Sequence, residues 1–226
     1  MLFRRFPSER NAMQSNKYTH VVWDFNGTIL DDVDACIKSA NTLLAAYDLP
    51  LIESKESYRK VFGFPIIDYY RRLGFDFDKL PYSELAVEWV AYYLENSKTS
   101  TVYEGLVEVF EAVKARGLSQ WILSATEKQM LTGQIESLGI RSYFDGILGL
   151  ENIQAYSKRE VGVQWRAQNP DARILMVGDT DHDAGVAAAM GADCILLTTG
   201  HQNRATLEQH PCLFVADHAR EILQVL

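Results

Sequence analysis

The chain has 226 residues, of which 47% are hydrophobic and 23% are charged, with a formal net charge of −8. This length can bury one large domain, or one domain with a smaller insert. The acidic balance, with no basic cluster to offset it, argues against nucleic acid as the main partner. The three cysteines are odd in number and lack metal-ligand spacing, which favours a reducing, cytoplasmic location.

The N-terminal stretch and the apolar runs bear on membrane targeting. No apolar run approaches the roughly 20 residues that a membrane-spanning helix needs, so we expect no membrane association. The first seven residues are basic in character, but no apolar segment follows, unlike in a secretory signal. We predict that residues 1–16 form an N-terminal tail, with Met13 as an alternative start.

The first recognisable element is the apolar run from Val21 to Phe25, which predicts a buried parallel strand. Asp24 lies where that strand ends, and chemistry in open α/β sheets collects at such ends. Gly27 permits a tight turn, and Thr28 offers a hydroxyl and an amide to an anion. An ordinary strand followed by an Asn-Gly turn would explain the same residues.

The next segment is helical throughout. A helix is predicted from Val33 to Tyr47, and helical spacing continues from about residue 53 to residue 100. The first strand is thus separated from the next α/β unit by about 70 residues, whereas such loops usually have about two to six. We predict an inserted all-helical cap of residues 33–102, and a catalytic core of residues 17–32 plus 103–226.

Strands and helices alternate in the rest of the chain, which predicts a doubly wound, Rossmann-like α/β core with a parallel sheet. A helix begins at Leu106, and another closes the chain over 221–226. Thr126 with Gln129, and Ser157 with Glu160, are predicted capping boxes. The predicted strands are 121–123, 143–148, 174–177 and 194–197.

Five polar residues end predicted strands or open the helices that follow them: Asp24, Ser124, Lys158, Asp179 and Asp183. Taken singly, Ser124 could be a helix cap, and Asp183 could be a first-turn acid favoured by the helix dipole. A lysine at a helix start opposes that dipole, so Lys158 indicates a nearby anion.

Together these residues predict a metal and phosphate site. Asp24, Asp179 and Asp183 would repel one another at one sheet edge unless a cation lay between them, and oxygen ligands favour Mg²⁺. Lys158 and Ser124 add a cation and a hydroxyl, a set that suits phosphoryl transfer. Asp24 is then a candidate nucleophile that would form an aspartyl-phosphate.

At this point the sequence resembles the haloacid dehalogenase superfamily, and most of all its phosphoglycolate-phosphatase-like branch with a helical cap. Four motifs occur in order: Asp24-Phe25-Asn26-Gly27-Thr28, Ser124, Lys158, and Gly178-Asp179-Thr180-Asp181-His182-Asp183. Gly63-Phe64-Pro65 lies where such caps carry a substrate loop. The resemblance spans about residues 18–226.

The resemblance implies a Mg²⁺-dependent phosphatase for a small phosphorylated metabolite, acting as a monomer or homodimer. Asp24 would attack phosphorus, and Lys158 would assist. The implied metal ligands are the carboxylates of Asp24, Asp179 and Asp183 and the backbone carbonyl of Asn26; the implied phosphate ligands are Thr28, Ser124 and Lys158. Dehalogenation is less favoured, because it would leave Asp179 and Asp183 idle.

One position departs from the family. Asn26 occupies the place of the usual general acid and base, and an amide cannot exchange a proton at ordinary pH. The substrate could have a good leaving group, or His182 or a cap residue could supply the proton. Alternatively, the protein binds a phosphorylated ligand or partner with low turnover, or Asn26 is an engineered change. A phosphonate-cleaving enzyme would need an imine-forming cap lysine, for which Lys55 and Lys60 are the candidates.

Overall fold

The computed structural model describes residues 17–152 and 157–226, so the predicted tail lies outside the described residues. A six-stranded, fully parallel sheet has the order β3-β2-β1-β4-β5-β6. Its strands are β1 His20–Trp23, β2 Ser119–Glu127, β3 Gly146–Leu150, β4 Ile174–Gly178, β5 Asp193–Leu197 and β6 Phe214–Ala216. This is the order of a doubly wound α/β fold, as predicted.

Nine α-helices are described in these two ranges. They are α1 Val33–Ala46, α2 Lys55–Val61, α3 Ile66–Arg72, α4 Tyr82–Asn96, α5 Leu106–Ala115, α6 Lys128–Ser137, α7 Arg159–Gln168, α8 Asp181–Met190 and α9 Arg204–Leu207. None of the described helices is long and apolar enough to cross a membrane.

The sheet is covered on both faces because the strand side chains alternate between them. On β1, Val21 and Trp23 pack in the cluster that contains Phe110 of α5, whereas Val22 packs with Val186 of α8 on the opposite face. All three β1 side chains are fully buried. The two apolar layers fix β1 at the centre of the sheet.

Helices α1 to α4 bury an apolar cluster of their own, with Leu43, Leu44, Leu85 and Tyr93 at its centre. The chain leaves and re-enters the core side by side, where Leu30 forms an antiparallel bridge with Val102. This separate cluster supports the predicted cap of residues 33–102. That these residues form a domain of their own stays a prediction.

Several element bounds differ from the predictions. β2 is longer than predicted, β3 is shifted to Gly146–Leu150, and the closing helix is a 3-10 turn, Ala219–Gln224. β6 has three residues and α9 has four, so neither is long enough to show a clear periodicity.

Both predicted capping boxes are wrong. Glu127 caps α6 instead, since its carboxylate accepts from the backbone N–H groups of Gln129 and Met130. Helix α7 begins after Lys158, and the Ser157 hydroxyl oxygen accepts from the N–H of Arg159 at 3.1 Å rather than from that of Glu160, so the predicted box does not form. Thr126 is not a cap because its hydroxyl donates to Oδ1 of Asn26 instead.

Candidate active site

The site lies at the carboxyl ends of β1 and β4, where the strand order reverses. Asp24 follows β1, and its backbone N–H donates to the carbonyl of Val177 at 2.8 Å. Asp179 follows β4 directly. One oxygen from each of Asp24, Asp179 and Asp183 lies within 4.8 Å of the others, and all three residues are buried. The sequence-predicted carboxylates are therefore brought together.

The turn after β1 needs a glycine. Gly27 has φ +74°, and a Cβ there would lie 2.3 Å from Oδ2 of Asp179. The N–H of Gly27 donates to Oδ1 of Asp32 at 2.9 Å. The next residue, Thr28, is fully buried, and its hydroxyl donates to Oδ1 of Asp179 at 3.0 Å. The turn thus holds Thr28 against the carboxylate cluster.

Asp179 is enclosed by the loop after β5. A Cβ at Gly200 would lie 2.0 Å from Oδ2 of Asp179, and the N–H of His201 donates to the same oxygen at 2.6 Å. Burial raises the pKa of Asp179 to about 6; the charge of His201 opposes this rise, and the charge of Asp183 adds to it.

Asp183 is held by the first turn of α8. Its Oδ2 accepts from the backbone N–H groups of Asp179 at 3.1 Å and Thr180 at 3.0 Å, and from the Thr180 hydroxyl at 2.7 Å. Its Oδ1 lies 2.6 Å from Nζ of Lys158. Burial opposes ionisation, but the Lys158 charge outweighs it and lowers the pKa of Asp183. Asp183 is therefore anchored as a carboxylate.

Lys158 bridges the two sides of the cluster, because Nζ also forms an ion pair with Oδ1 of Asp24. Burial opposes its charge, but Asp183 and Asp24 more than compensate and raise the pKa of Lys158. For Asp24, burial raises the pKa well above its usual value; Lys158 opposes that rise, while Asp183 and Asp179 add to it. The anion predicted beside Lys158 is this carboxylate pair.

These residues fit a divalent cation. Three carboxylates face a single lysine, so the cluster carries excess negative charge, and its oxygen donors are those that hard cations prefer. A bound cation would also offset the repulsion by Asp183 and Asp179, which adds to the effect of burial on the pKa of Asp24.

Ser124 lies on β2 beside the cluster, and Thr126 is a site residue that sequence reasoning missed. The N–H of Thr126 donates to Oγ of Ser124 at 3.1 Å, and the Thr126 hydroxyl donates to Oδ1 of Asn26 at 2.8 Å. A signal was present, since Thr126 lies two residues after Ser124, near the carboxyl end of the same strand.

Asn26 is fully hydrogen-bonded to the protein. Its Nδ2 donates to Oδ2 of Asp32 and to the hydroxyl of Tyr93, both at 2.7 Å. Its Oδ1 accepts from Thr126. Both amide hydrogens are therefore used internally, and the side chain joins the core to helix α4.

His201, in the loop after β5, is a buried site residue that the sequence motifs did not include. The ring is buried, Nδ1 lies 2.8 Å from the hydroxyl of Tyr58, and Nε2 lies 3.6 Å from Oδ1 of Asp32. Burial alone would lower the pKa of His201, but Asp32 and Asp179 raise it. Burial would likewise raise the pKa of Asp32, but His201 and the hydrogen bonds of Tyr93 and Asn26 lower it.

His182, one of the alternative proton donors, stacks on Phe64 with ring centres 4.3 Å apart. Burial and the Lys158 charge lower its pKa to about 4. A ring that is neutral at ordinary pH is a poor general acid.

The two lysines considered for an imine lie in surface ion pairs. Nζ of Lys55 lies 2.8 Å from Asp34, and Nζ of Lys60 lies 2.7 Å from Glu56. Neither lines the cavity above Asp24. The structure thus offers no support for the phosphonate-cleaving alternative.

That cavity measures about 130 Å³ and opens between the sheet edge and helices α2 to α4. Asp24, Asn26, Ser124 and Lys158 line its floor. Phe64, in the predicted substrate loop, lies in its wall. The cavity therefore joins the carboxylate cluster to the helical part of the chain.

Comparisons with known proteins bear on the family and the fold of the chain. A phosphoglycolate phosphatase of Pseudomonas savastanoi is 23% identical over 209 residues, covering 87% of this chain and 76% of that protein. A haloacid dehalogenase-like hydrolase from Streptococcus pneumoniae has a TM-score of 0.77 at 21% identity, covering 92% of this chain and 98% of that one.

A further solved structure, described as a predicted phosphoglycolate phosphatase from Haemophilus somnus, has a TM-score of 0.75 at 20% identity. It covers 93% of this chain and 99% of its own. At these identities the structural likenesses show the fold. The family model for haloacid dehalogenase-like hydrolases matches residues 21–197. The chain therefore belongs to the haloacid dehalogenase-like hydrolases.

Proposed function

We propose that this phosphatase is a Mg²⁺-dependent phosphoric monoester hydrolase that acts on a small phosphorylated metabolite through an aspartyl-phosphate. The observation that carries the proposal is the buried cluster of Asp24, Asp179 and Asp183, with Lys158 bridging Asp24 and Asp183. Carboxylates arranged around one ammonium suit a cation and a phosphoryl group together.

Asp24 is the nucleophile in this proposal. It follows the central strand, and its Oδ1 is already paired with Lys158, which would orient the carboxylate toward the cavity floor. The buried ammonium of Lys158 would neutralise charge on the phosphoryl oxygens without having to lose its proton.

Asp24, Asp179, Asp183 and the backbone carbonyl of Asn26 would hold the cation. When bound, Mg²⁺ supplies positive charge that offsets the phosphoryl oxygens and the carboxylates. The anchoring of Asp183 by Thr180 and two backbone N–H groups keeps that carboxylate in place for the role.

Thr28 and Ser124 would bind phosphoryl oxygens through their hydroxyl groups. Each hydroxyl now bonds a neighbour, Asp179 for Thr28 and Thr126 for Ser124. A hydroxyl can turn about its Cβ–O bond, so each can donate to an incoming anion instead.

A catalytically weak member that binds a phosphorylated ligand is the second candidate. The observation that favours it is the internal bonding of Asn26, which leaves no proton donor at the family's usual position. Turnover distinguishes the two candidates, because a binder would not release phosphate repeatedly.

The test is phosphate release from a panel of monoesters in the presence of Mg²⁺. Asp24→Asn should abolish release, since an amide is not a nucleophile here, and a chelator should do the same. Asp31→Asn, at an exposed carboxyl group seven residues along, is the matched control and should keep its activity. Turnover above a few per cent in Asp24→Asn would contradict the nucleophile assignment, and chelator-resistant hydrolysis would contradict the metal assignment.

A further inference from the structure

The cavity above Asp24 has two chemically different ends. Its floor carries Asp24, Ser124 and Lys158, whereas its walls are mainly aromatic and aliphatic. Helix α4 contributes Trp89, Val90 and Tyr93 to the walls, and the segments around α2 and α3 contribute Tyr58, Phe62 and Ile66. A phosphoryl group on the floor would therefore place its leaving group against an apolar wall.

The cavity offers no unpaired cation to a negatively charged leaving group. His201 also lines it, but its Nδ1 lies 2.8 Å from the Tyr58 hydroxyl and its Nε2 lies 3.6 Å from Oδ1 of Asp32. Among the described residues that line the cavity, Lys158 is the single lysine or arginine, and its ammonium already pairs with Asp24 and Asp183. A carboxylate on the substrate would lose its hydration there without gaining an ion pair, which is costly.

Nearby arginines are committed elsewhere. The guanidinium of Arg59 donates to the carbonyls of Gly200 and Thr199, both at 2.8 Å. Nε of Arg72 donates to the carbonyl of Val61 at 2.7 Å. Neither side chain lines the cavity, so neither is placed to receive a substrate carboxylate.

The size of the cavity allows a leaving group of at most one ring, because its volume includes the floor that a phosphoryl group would occupy. Its volume is about 130 Å³, and an apolar protein cavity of about 150 Å³ is known to hold one benzene molecule. The rings of Trp89 and Tyr93 stack with centres 4.8 Å apart. Aromatic side chains gain from edge and offset contacts with another ring.

The fixed amide of Asn26 adds a second, independent constraint. Both of its hydrogens are bonded to Asp32 and Tyr93, so it has no proton to give to a leaving oxygen. A missing general acid matters least when the leaving oxygen is stable as an anion, as a phenolate is.

We propose that the substrate is an aryl phosphate monoester whose leaving group is a single uncharged ring; this inference rests on the proposed phosphatase function. Oδ of Asp24 forms a bond to phosphorus while the aryl P–O bond breaks, and the electron pair leaves with the phenolate. The phenolate takes a proton from solvent. Water then attacks phosphorus, the Asp24–phosphorus bond breaks, and phosphate and the Asp24 carboxylate are regenerated.

The activity test compares four monoesters under identical Mg²⁺ concentrations. Phenyl phosphate and O-phosphotyrosine share a phenolic leaving oxygen, but the second carries charges; we expect kcat/KM to be at least tenfold higher for phenyl phosphate, through KM. Benzyl phosphate keeps the ring but has a poor leaving group, and should lose about 10² or more in kcat. Phosphoglycolate should be the poorest of the four. Preference for phosphoglycolate would overturn the inference.

A pair of lysine substitutions on α4 tests the wall directly. Val90 lines the cavity, whereas Val87 on the same helix is 58% exposed. Val90→Lys should raise KM for phenyl phosphate and lower KM for phosphoglycolate, while Val87→Lys should change neither. Unchanged selectivity in Val90→Lys would contradict the assignment of charge selectivity to this wall.

A binding measurement separates failure of this inference from failure of the proposed function. Calorimetry with Mg²⁺ compares phenylphosphonate with phosphonoacetate, neither of which has an ester bond to hydrolyse. We expect at least tenfold tighter binding of phenylphosphonate. Absence of turnover on every ester would refute the phosphatase mechanism, but this binding order would still support the aryl class; the reverse order would overturn it.

Discussion

Asn26 is where the chain departs from the family's first motif. Its contacts show why an amide suits this position. The amide donates to Asp32, a carboxylate six residues further along the chain. Two carboxylates at positions 26 and 32 would lie in contact and repel each other, so one would be driven toward its neutral form. The amide at 26 is therefore compatible with the buried carboxylate at 32.

Asn26→Asp alone should destabilise the protein. The change removes both donors to Asp32 and Tyr93 and adds like charge, which should lower the free energy of unfolding by about 1 to 3 kcal/mol. Adding Asp32→Asn exchanges the amide and the acid and should recover most of that loss. Urea unfolding of the two variants measures the effect, and additive losses in the double variant would contradict it.

Exchanging the amide and the acid at positions 26 and 32 should also change the turnover of phosphate esters. In the double variant Asn26→Asp/Asp32→Asn, a carboxylic acid occupies the family's proton-donor position, so turnover of benzyl phosphate should rise much more than turnover of phenyl phosphate. Plotting kcat/KM against the pKa of the leaving group for both forms provides the measurement. Equal slopes would mean that another group already transfers the proton.

Asp179 gives the site a pH dependence. Its pKa is raised to about 6, so the metal-free site takes up a proton below pH 6, whereas an ordinary aspartate does so only near pH 4. Protons and cations compete for the same oxygens. The Kd for Mg²⁺ should therefore rise as pH falls from 7 to 5, approaching about tenfold per pH unit for each proton displaced.

Calorimetric titration at pH 7, 6 and 5 checks this dependence, with circular dichroism as the control that the protein stays folded. A Kd that is constant between pH 7 and pH 5 would contradict a raised pKa at Asp179. The Kd rises as the pH falls because the ionised carboxylate of Asp179 binds the cation. Lowering the pH populates the neutral carboxyl group, which is the weaker ligand.

At the scale of elements, the glycine before His201 determines how closely the β5 loop approaches Asp179. Gly200→Ala would place a methyl group 2.0 Å from the present position of Oδ2. Asp179 or the loop must then move, and the Kd for Mg²⁺ should rise at least tenfold. Gly185→Ala on α8 is the matched control, because a Cβ there meets nothing within 4 Å. Equal Mg²⁺ affinities in the two variants would contradict the role of this loop.

The central strands and the α/β order could be predicted from the sequence because parallel strands buried on both faces form short apolar runs. β1 and β4 show this clearly, since most of their residues are fully buried. β6 could not, because three residues form no recognisable pattern. Strand ends also identified Asp24, Ser124 and Asp179, as each lies at or just beyond an apolar run.

Other site residues depend on contacts that no local pattern encodes. Asp32 contacts Asn26 across a turn, and its partner His201 is 169 positions away in the chain. His201 nevertheless follows β5, so the rule that located Asp24 could have placed it at the same sheet edge. Thr126 was missed because a capping pattern competed with its position on the strand.

At the scale of the whole molecule, the helical part covers the site through polar contacts as well as apolar ones. Tyr58 of α2 bonds His201, Arg59 bonds the loop after β5, and Tyr93 of α4 bonds Asn26. Each contact ends on a residue beside the carboxylate cluster. Hydrogen bonds therefore connect the helices that form the cavity walls to the residues beside the carboxylate cluster on its floor.

The floor of the cavity is formed at the edge of the parallel sheet, and its walls are formed mainly by the helices α2 to α4. Relatives named phosphoglycolate phosphatases share the fold at low identity. The cavity walls of this chain are mainly aromatic and aliphatic, and no lysine or arginine other than Lys158 lines the cavity within the described ranges. We therefore assign the chemistry to the floor of the cavity and the choice of substrate to its helical walls.

Mass spectrometry of acid-quenched enzyme tests whether phosphoryl transfer passes through Asp24. Protein mixed with Mg²⁺ and phenyl phosphate should carry one phosphoryl group on the peptide that contains Asp24. Borohydride reduction should convert that residue to homoserine. Because Asn26 cannot activate water for the second step, the modified fraction should be large in the wild type and smaller in Asn26→Asp/Asp32→Asn. Turnover with no label on that peptide, or with label on another residue, would contradict Asp24 as the nucleophile.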